Sequence, residues 1–452
     1  MKERTKGPSM KARLRPVVIL MVIALVVAAC GDGEGSDTTG AGGSTTTAGD
    51  GATTTAGPGT TAEGGEEGPI KFGMLIGVTG DYSPYYDVSK AGADVAIAEI
   101  NEAGGVLGRQ VELVVVDNKS TVEGAVQGFS QVTDVEGVHA LGGPESDGAI
   151  ANLQAIKDLQ LPTICPACGT SELDQAGGDY IWRITGSDSD GGLIAAQFAR
   201  DAGYTSVGML VQNTEGASAP ADVFKQVFTE IIGGEVSADV RFDPGQSSYQ
   251  AQVDQVFADD PEAVYVGAGF EAGGIILTEW QRRGYGGNFL FSPDMIVPEI
   301  AALTGQGVEI GDGVAKAAIA AYDTESPAYE SYAPRYEAIT GEQPTPGLYD
   351  ANQYDQYIIL ALAISIAGTT DGEAVAAVIS DLLNAPGTVV YSYAEGLAAI
   401  EAGEDIDLHG ASSSLDVNEF GNLASPNFGE QNIVDEQWTQ VATVELDPSL
   451  RP

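Results

Sequence analysis

The sequence predicts an α/β protein of two lobes, each built on a parallel sheet. Three observations point there. From residue 70, short apolar runs alternate with longer amphipathic stretches, the rhythm of βαβ units. The same rhythm stops near Gly186 and starts again, which gives two blocks. The chain from residue 69 onward is long enough for two domains.

In the first block, Ile70-Lys71-Phe72-Gly73-Met74-Leu75-Ile76 has the continuous apolar character of a strand buried on both faces. Ala91, Val95, Ala98 and Ile100 give 88–103 the spacing of a helix. Strands at 111–116, 138–141 and 162–164 alternate with helices at 122–132 and 149–159. In the second block, helices at 193–202, 221–232, 249–257 and 273–283 alternate with strands at 207–211, 236–242, 263–266 and 289–291. The last third is less regular, with helices at 354–367 and 373–383 and a strand and turn over 408–423, the turn at Asn418-Glu419-Phe420-Gly421-Asn422.

Parallel α/β sheets bind ligands beyond the carboxyl ends of their strands. The loops to watch are therefore 77–87, 142–148 and 165–173 in the first block, and 212–220, 267–272 and 292–297 in the second. In the loop 142–148, Ser146 sits near a helix start. Its hydroxyl, beside free amides, suits a ligand carboxylate; equally it suits a plain N-cap.

Charge narrows the partners. Lys and Arg number 20 against 65 Asp and Glu, a formal charge of −45. Nucleic acid is excluded as a partner, since little could neutralise its phosphates. There is no phosphate loop, HExxH or GxSxG elbow to support a kinase or hydrolase. With two histidines, His139 and His409, and a single CxxC, no zinc site is expected, and no cofactor is implied.

The chain begins with basic residues, continues with an apolar run over 17–29 and ends it in Val27-Ala28-Ala29-Cys30. This resembles the signal peptide and lipobox of bacterial lipoproteins, which implies cleavage before Cys30 and a diacylglycerol on its thiol. Residues 30–68 are dominated by Gly, Ser, Thr, Ala, Asp and Glu without an aromatic residue, the composition of a disordered tether. The location implied is outside the cytoplasm, lipid-anchored to the bacterial cell membrane. Cys165 and Cys168, as Cys165-Pro166-Ala167-Cys168, would be oxidised there, although an i,i+3 disulfide is geometrically demanding.

Five segments together resemble the periplasmic branched-chain amino-acid-binding family, the type I solute-binding lipoproteins of ABC importers. They are Ile70 to Tyr85, Glu99-Ile100-Asn101-Glu102-Ala103-Gly104-Gly105-Val106-Leu107-Gly108-Arg109, Gly142 to Leu173, Trp182-Arg183-Ile184-Thr185-Gly186-Ser187-Asp188-Ser189-Asp190, and Gly410 to Asn422. The resemblance implies two Rossmann-like lobes joined by a three-crossover hinge, with 69–187 and 319–425 forming lobe 1 and 188–318 and 426–452 forming lobe 2.

It also implies a pocket. The family's carboxylate-binding serine falls on Ser146, the carbonyl that accepts from the ligand ammonium on Ala167, and the acid that pairs with that ammonium on Asp294. Its threonine falls on Gly169, where Thr170 or Ser171 could substitute. Aromatic walls fall on Tyr85 and Phe270, a third family tyrosine falls on Gly216 and leaves one wall open, and Tyr349 lies in a segment that reaches the cleft.

The function implied is capture of an amino acid for an ABC permease, without enzyme activity. The alternatives are a sensor ectodomain of the same fold, or binding of an amide, urea or aromatic acid. A thiol–disulfide oxidoreductase using Cys165 is a third class.

Overall fold

The computed structural model describes residues 68–345 and 347–451; the leader, Cys30 and nearly all of the expected tether lie outside them. The first block folds as β1 (Ile70–Ile76), α1 (Tyr86–Glu102), β2 (Val111–Asp117), α2 (Val122–Ser130), β3 (Ala140–Gly142), α3 (Ser146–Asp158), β4 (Thr163–Cys165) and β5 (Ile181–Arg183). The strands form a parallel sheet in the order β2-β1-β3-β4-β5, with Ile70 opposite Val111 and Phe72 opposite Ala140. Both faces are covered, as the unbroken apolar character of β1 requires. Phe72 and Met74 pack in one core with α1, and Leu75 lies in another with Phe129 of α2 and Ile156 of α3.

The second block gives α4 (Asp188–Ala202), β6 (Ser206–Gln212), α5 (Glu215–Gln226), β7 (Glu235–Phe242), α6 (Gln250–Val256), β8 (Ala263–Gly267), α7 (Phe270–Arg283), β9 (Asn288–Phe291), α8 (Pro298–Ala301) and β10 (Ala315–Ala320). The chain then returns to the first lobe with α9 (Pro327–Thr340), α10 (Asp350–Ala367), α11 (Gly372–Leu382), β11 (Thr388–Val390), α12 (Tyr393–Glu401) and β12 (Ile406–Leu408). It closes with the hairpin β13 (Phe428–Val434) and β14 (Gln437–Val444), which pairs antiparallel to β10. The second sheet has the order β14-β13-β10-β9-β8-β6-β7. Leaving out the hairpin, both sheets share one pattern, in which the strand order reverses beside the first strand of the lobe.

The expectation of two Rossmann-like lobes with parallel sheets is met. Helices begin earlier than the apolar periodicity suggested: α1 at Tyr86, α3 at Ser146, α5 at Glu215, α7 at Phe270 and α10 at Asp350. The first turns of α3, α5 and α10 carry polar or small residues. The strand expected after residue 408 is instead a loop. Buried Asp355 of α10 holds it there, accepting from the Ala411 and Ser412 amides at 2.8 Å each and from the Ser412 hydroxyl at 2.6 Å. A backbone whose amides are taken by a side chain cannot join a ladder. The turn over 418–422 is present, closed by Gly421 N–H to the Asn418 carbonyl at 2.9 Å.

Replacing Asp355 with Ala would strand two amides in a dry interior, at about 1–3 kcal/mol each. Urea denaturation of Asp355→Ala is therefore expected to show a loss of about 3 kcal/mol, with Asp355→Asn losing less.

Candidate functional site

The carboxyl ends of β1, β3 and β4 face those of β6, β8 and β9, and the crevice between them opens at the two strand-order reversals. It holds two adjoining cavities, which share Tyr82, Glu145, Ala167, Asp294 and Tyr349 in their walls. Of the residues expected from sequence, Tyr85 lines the first cavity, Ser146 and Gly169 line the second, and Ala167, Asp294 and Tyr349 line both. Ser146 belongs to the first lobe and Asp294, just after β9, to the second.

Ser146 is the first residue of α3, not its N-cap. Its Oγ accepts from the Thr170 amide at 3.2 Å, so the hydroxyl proton is free to point into the cavity. Thr170 stands behind the wall rather than in it. It is fully buried, and its hydroxyl donates to Glu215 Oε1 across the crevice at 2.7 Å.

The start of α3 already carries acids. Glu145 at the N-cap accepts from the Gly77 amide at 2.7 Å and from Asn118. Asp147 accepts from the Glu215 amide at 3.0 Å. The helix dipole and free amides that would draw a ligand carboxylate are thus flanked by the protein's own carboxylates.

Two glycines differ from expectation. A Cβ on Gly169 would overlap the carboxylate of Asp188, so the space of the family's threonine is filled by an acid. A Cβ on Gly216 would lie 3.1 Å from the Tyr82 hydroxyl and 3.2 Å from Asp294, so the wall expected to be open is closed by Tyr82. Tyr82, Tyr85 and Tyr349 form a continuous aromatic corner, with centroids 6.5 Å apart for the first two and 6.0 Å for the last two. Tyr349 caps α10 in the left-handed region at φ 62°, a conformation costing about 1 kcal/mol for a non-glycine residue.

Phe270 is a correction. It opens α7 and lines an outer groove with Glu271 and Ile275, away from both cavities. The crevice side of that helix start is taken by Asp81 and Gln212. Gln212 accepts from the Gly269 amide at 3.2 Å and donates to Asp81 at 3.0 Å, another bond between lobes.

Cys165 and Cys168 are joined as a disulfide with Cα atoms 5.8 Å apart, and both are fully buried. Tyr82, Glu145, Asp147 and Asp188 were not singled out from sequence as site residues. Glu145 and Asp147 flank Ser146 and were within reach of that reading. Asp188 was not, because nothing in the gap at Gly169 indicates which distant side chain fills it.

The acids are electrostatically stressed. Asp294 is pushed up to about 7, by burial first and then by the charges of Asp147, Asp81 and Glu145. Asp188 is raised well above the carboxylate range, again by burial first and then by Asp294. Burial likewise raises Glu145 and Asp147.

Residues 69–387 match the family model for periplasmic binding proteins. The chain belongs to that family. It is a type I member of the branched-chain amino-acid-binding group, whose proteins act outside the cytoplasm. It is 23% identical over 365 residues to the Leu/Ile/Val-binding protein BraC3 of Rhizobium johnstonii, covering 79% of this chain and 93% of that one. It is 26% identical over 337 residues to the chemotactic signal transduction substrate-binding protein BasB of Halobacterium salinarum, covering 72% and 77%. The leucine-binding protein LivK of Thermotoga maritima shares the fold with a TM-score of 0.70 at 23% identity, covering 84% and 99%. A solute-binding protein from R. palustris in complex with benzoate shares it with a TM-score of 0.66 at 17% identity, covering 83% and 96%.

Asp294 sets a pH dependence. Between about pH 4 and 7 the closed fold keeps a proton on this carboxyl that the unfolded chain has released. Its stabilising contribution is complete below about pH 4 and is lost as pH rises through about 7. Melting curves across that range should fall more steeply with pH for the natural protein than for Asp294→Asn.

Proposed function

We propose that this protein captures a small amine-bearing solute, an amino acid or close analogue, and presents it to an ABC permease. The lobes, 69–187 with 319–425 and 188–318 with 426–452, would close on it about the three-passage hinge. The reading rests on Ser146 and Asp294 occupying opposite walls of one cavity, each on a different lobe. A ligand can shift an open–closed balance only if it binds the closed state better, which contacts to both walls provide. Ser146 would donate to an acidic group or carbonyl, the Ala167 carbonyl and Asp294 would take the ammonium, and Tyr85 and Tyr349 would cover the carbon skeleton.

A sensor role has support from the chemotactic relative in Halobacterium salinarum, and it uses the same binding step. An aromatic acid fits less well, because an anion would meet Glu145, Asp188 and Asp294. An oxidoreductase is disfavoured because both sulfurs are buried away from any protein thiol.

A thermal-shift screen of amino acids, amides and organic acids is expected to give a selective rise in melting point. Asp294→Ala and Ser146→Ala should each weaken the best hit by roughly tenfold or more, the scale of one charged or polar contact. An unchanged affinity in Asp294→Ala would instead point to an amide, urea or acid ligand. For the anchor, Cys30→Ser should move the protein from the membrane fraction to the soluble fraction.

A further inference from the structure

Three features of the cavity wall point beyond a simple zwitterion. The first is the acid at the Gly169 position. Asp188 lines the second cavity, and its Oδ2 is shielded from solvent with no hydrogen-bond partner. Leaving a carboxylate oxygen in that state is costly unless a cation or donor arrives to meet it.

The second is the lack of an available base. The positive group acting on Asp188 is Arg183, whose terminal nitrogens are already committed while its buried Nε has no partner. Nη1 donates to the Gly169 and Thr170 carbonyls at 3.0 and 2.9 Å, and Nη2 pairs with Asp174 at 2.7 Å. Every charged group that perturbs Asp294 is another acid. Among the described residues no set of three or more His, Cys, Asp and Glu side chains could hold a metal ion.

The third is the aromatic corner of Tyr82, Tyr85 and Tyr349 beside Asp294. Ring faces around a carboxylate stabilise alkylammonium groups, whose apolar carbons and positive charge both find partners there. The generally acidic composition of the chain does not explain these features. Surface acids are solvated, whereas Asp188 and Asp294 sit between lobes that have closed around them.

We propose that the natural ligand is a small organic cation with two positively charged nitrogens, one held by Asp294 and the tyrosine corner and the other by Asp188. A zwitterion brings one positive charge and adds a carboxylate beside Glu145 and Asp147; a doubly cationic molecule meets both unpartnered acids. The inference rests on the solute-binding reading and specifies its ligand class. A dibasic amino acid and a simple diamine share this chemistry. They differ in whether Ser146 receives a carboxylate.

Isothermal titration calorimetry of the purified protein with L-leucine, L-lysine and 1,4-diaminobutane tests it, alongside Asp188→Asn. Lysine or the diamine should bind at least about tenfold more tightly than leucine, and Asp188→Asn should narrow that gap by about tenfold, the scale of one charged contact. Preference for lysine over the diamine would assign Ser146 a carboxylate, and the reverse would not; either supports the proposal. Leucine binding as tightly as both cations overturns it, as does a cation preference that Asp188→Asn leaves unchanged. In those cases solute binding itself stands. If the natural protein binds none of the three and nothing in the wider screen, solute binding fails as well. Selectivity of the natural protein is decisive even if Asp188→Asn does not fold.

Discussion

Closure over carboxylates that outnumber the bases around them is the constraint around which this protein is organised. Two sheets present the carboxyl ends of their strands to one another, and the loops between them bring Glu145, Asp147, Asp188 and Asp294 together. Withdrawing such groups from water is unfavourable, and mutual repulsion adds to it. The closed form compensates locally. Backbone amides serve Glu145 and Asp147, while bonds such as Asp81 to Gln212 and Thr170 to Glu215 tie one lobe to the other. Asp188 Oδ2 keeps no partner, and in the proposed reading the solute supplies one to it and to Asp294, so that the acids that make closure costly would also make it selective.

The glycines explain how a common scaffold acquires an uncommon pocket. At Gly169 a lost side chain admits Asp188 from the start of α4, and at Gly216 the Tyr82 hydroxyl and the Asp294 carboxyl both approach the space a side chain would fill. Both changes replace a local contact with one made by a residue distant in sequence. Family resemblance at a position then identifies the place in the pocket without identifying the chemistry that occupies it.

Much of the fold was legible because parallel strands buried on both faces announce themselves as apolar runs; β1, β6 and β8 are examples. What was missed has clear causes. Strand β10, Ala-Lys-Ala-Ala-Ile-Ala, has weak strand propensity and forms because β9 and β13 flank it. Helix α9 carries Pro334 in its interior, which breaks the usual pattern, while Tyr332 and Tyr336 keep its buried face. Hairpin β13–β14 is short of apolar residues because β14 is largely exposed. At the site, the loop rule singled out Ser146, while Ala167, Tyr85, Asp294 and Tyr349 came from the family resemblance; all five line the cavities. Phe270 came from counting along the family pattern, which gives a position in the chain but not the direction of its side chain; it lines the outer groove.

The direction of β1 has a practical meaning. The chain enters this lobe at Ile70 and reaches the crevice at Ile76, about 20 Å farther on for a seven-residue strand. The first described residues therefore lie at the rear of the lobe, remote from the mouth. A tag or sensor-chip linkage fixed there would leave the entrance unobstructed, and the jaws could open and shut without working against it.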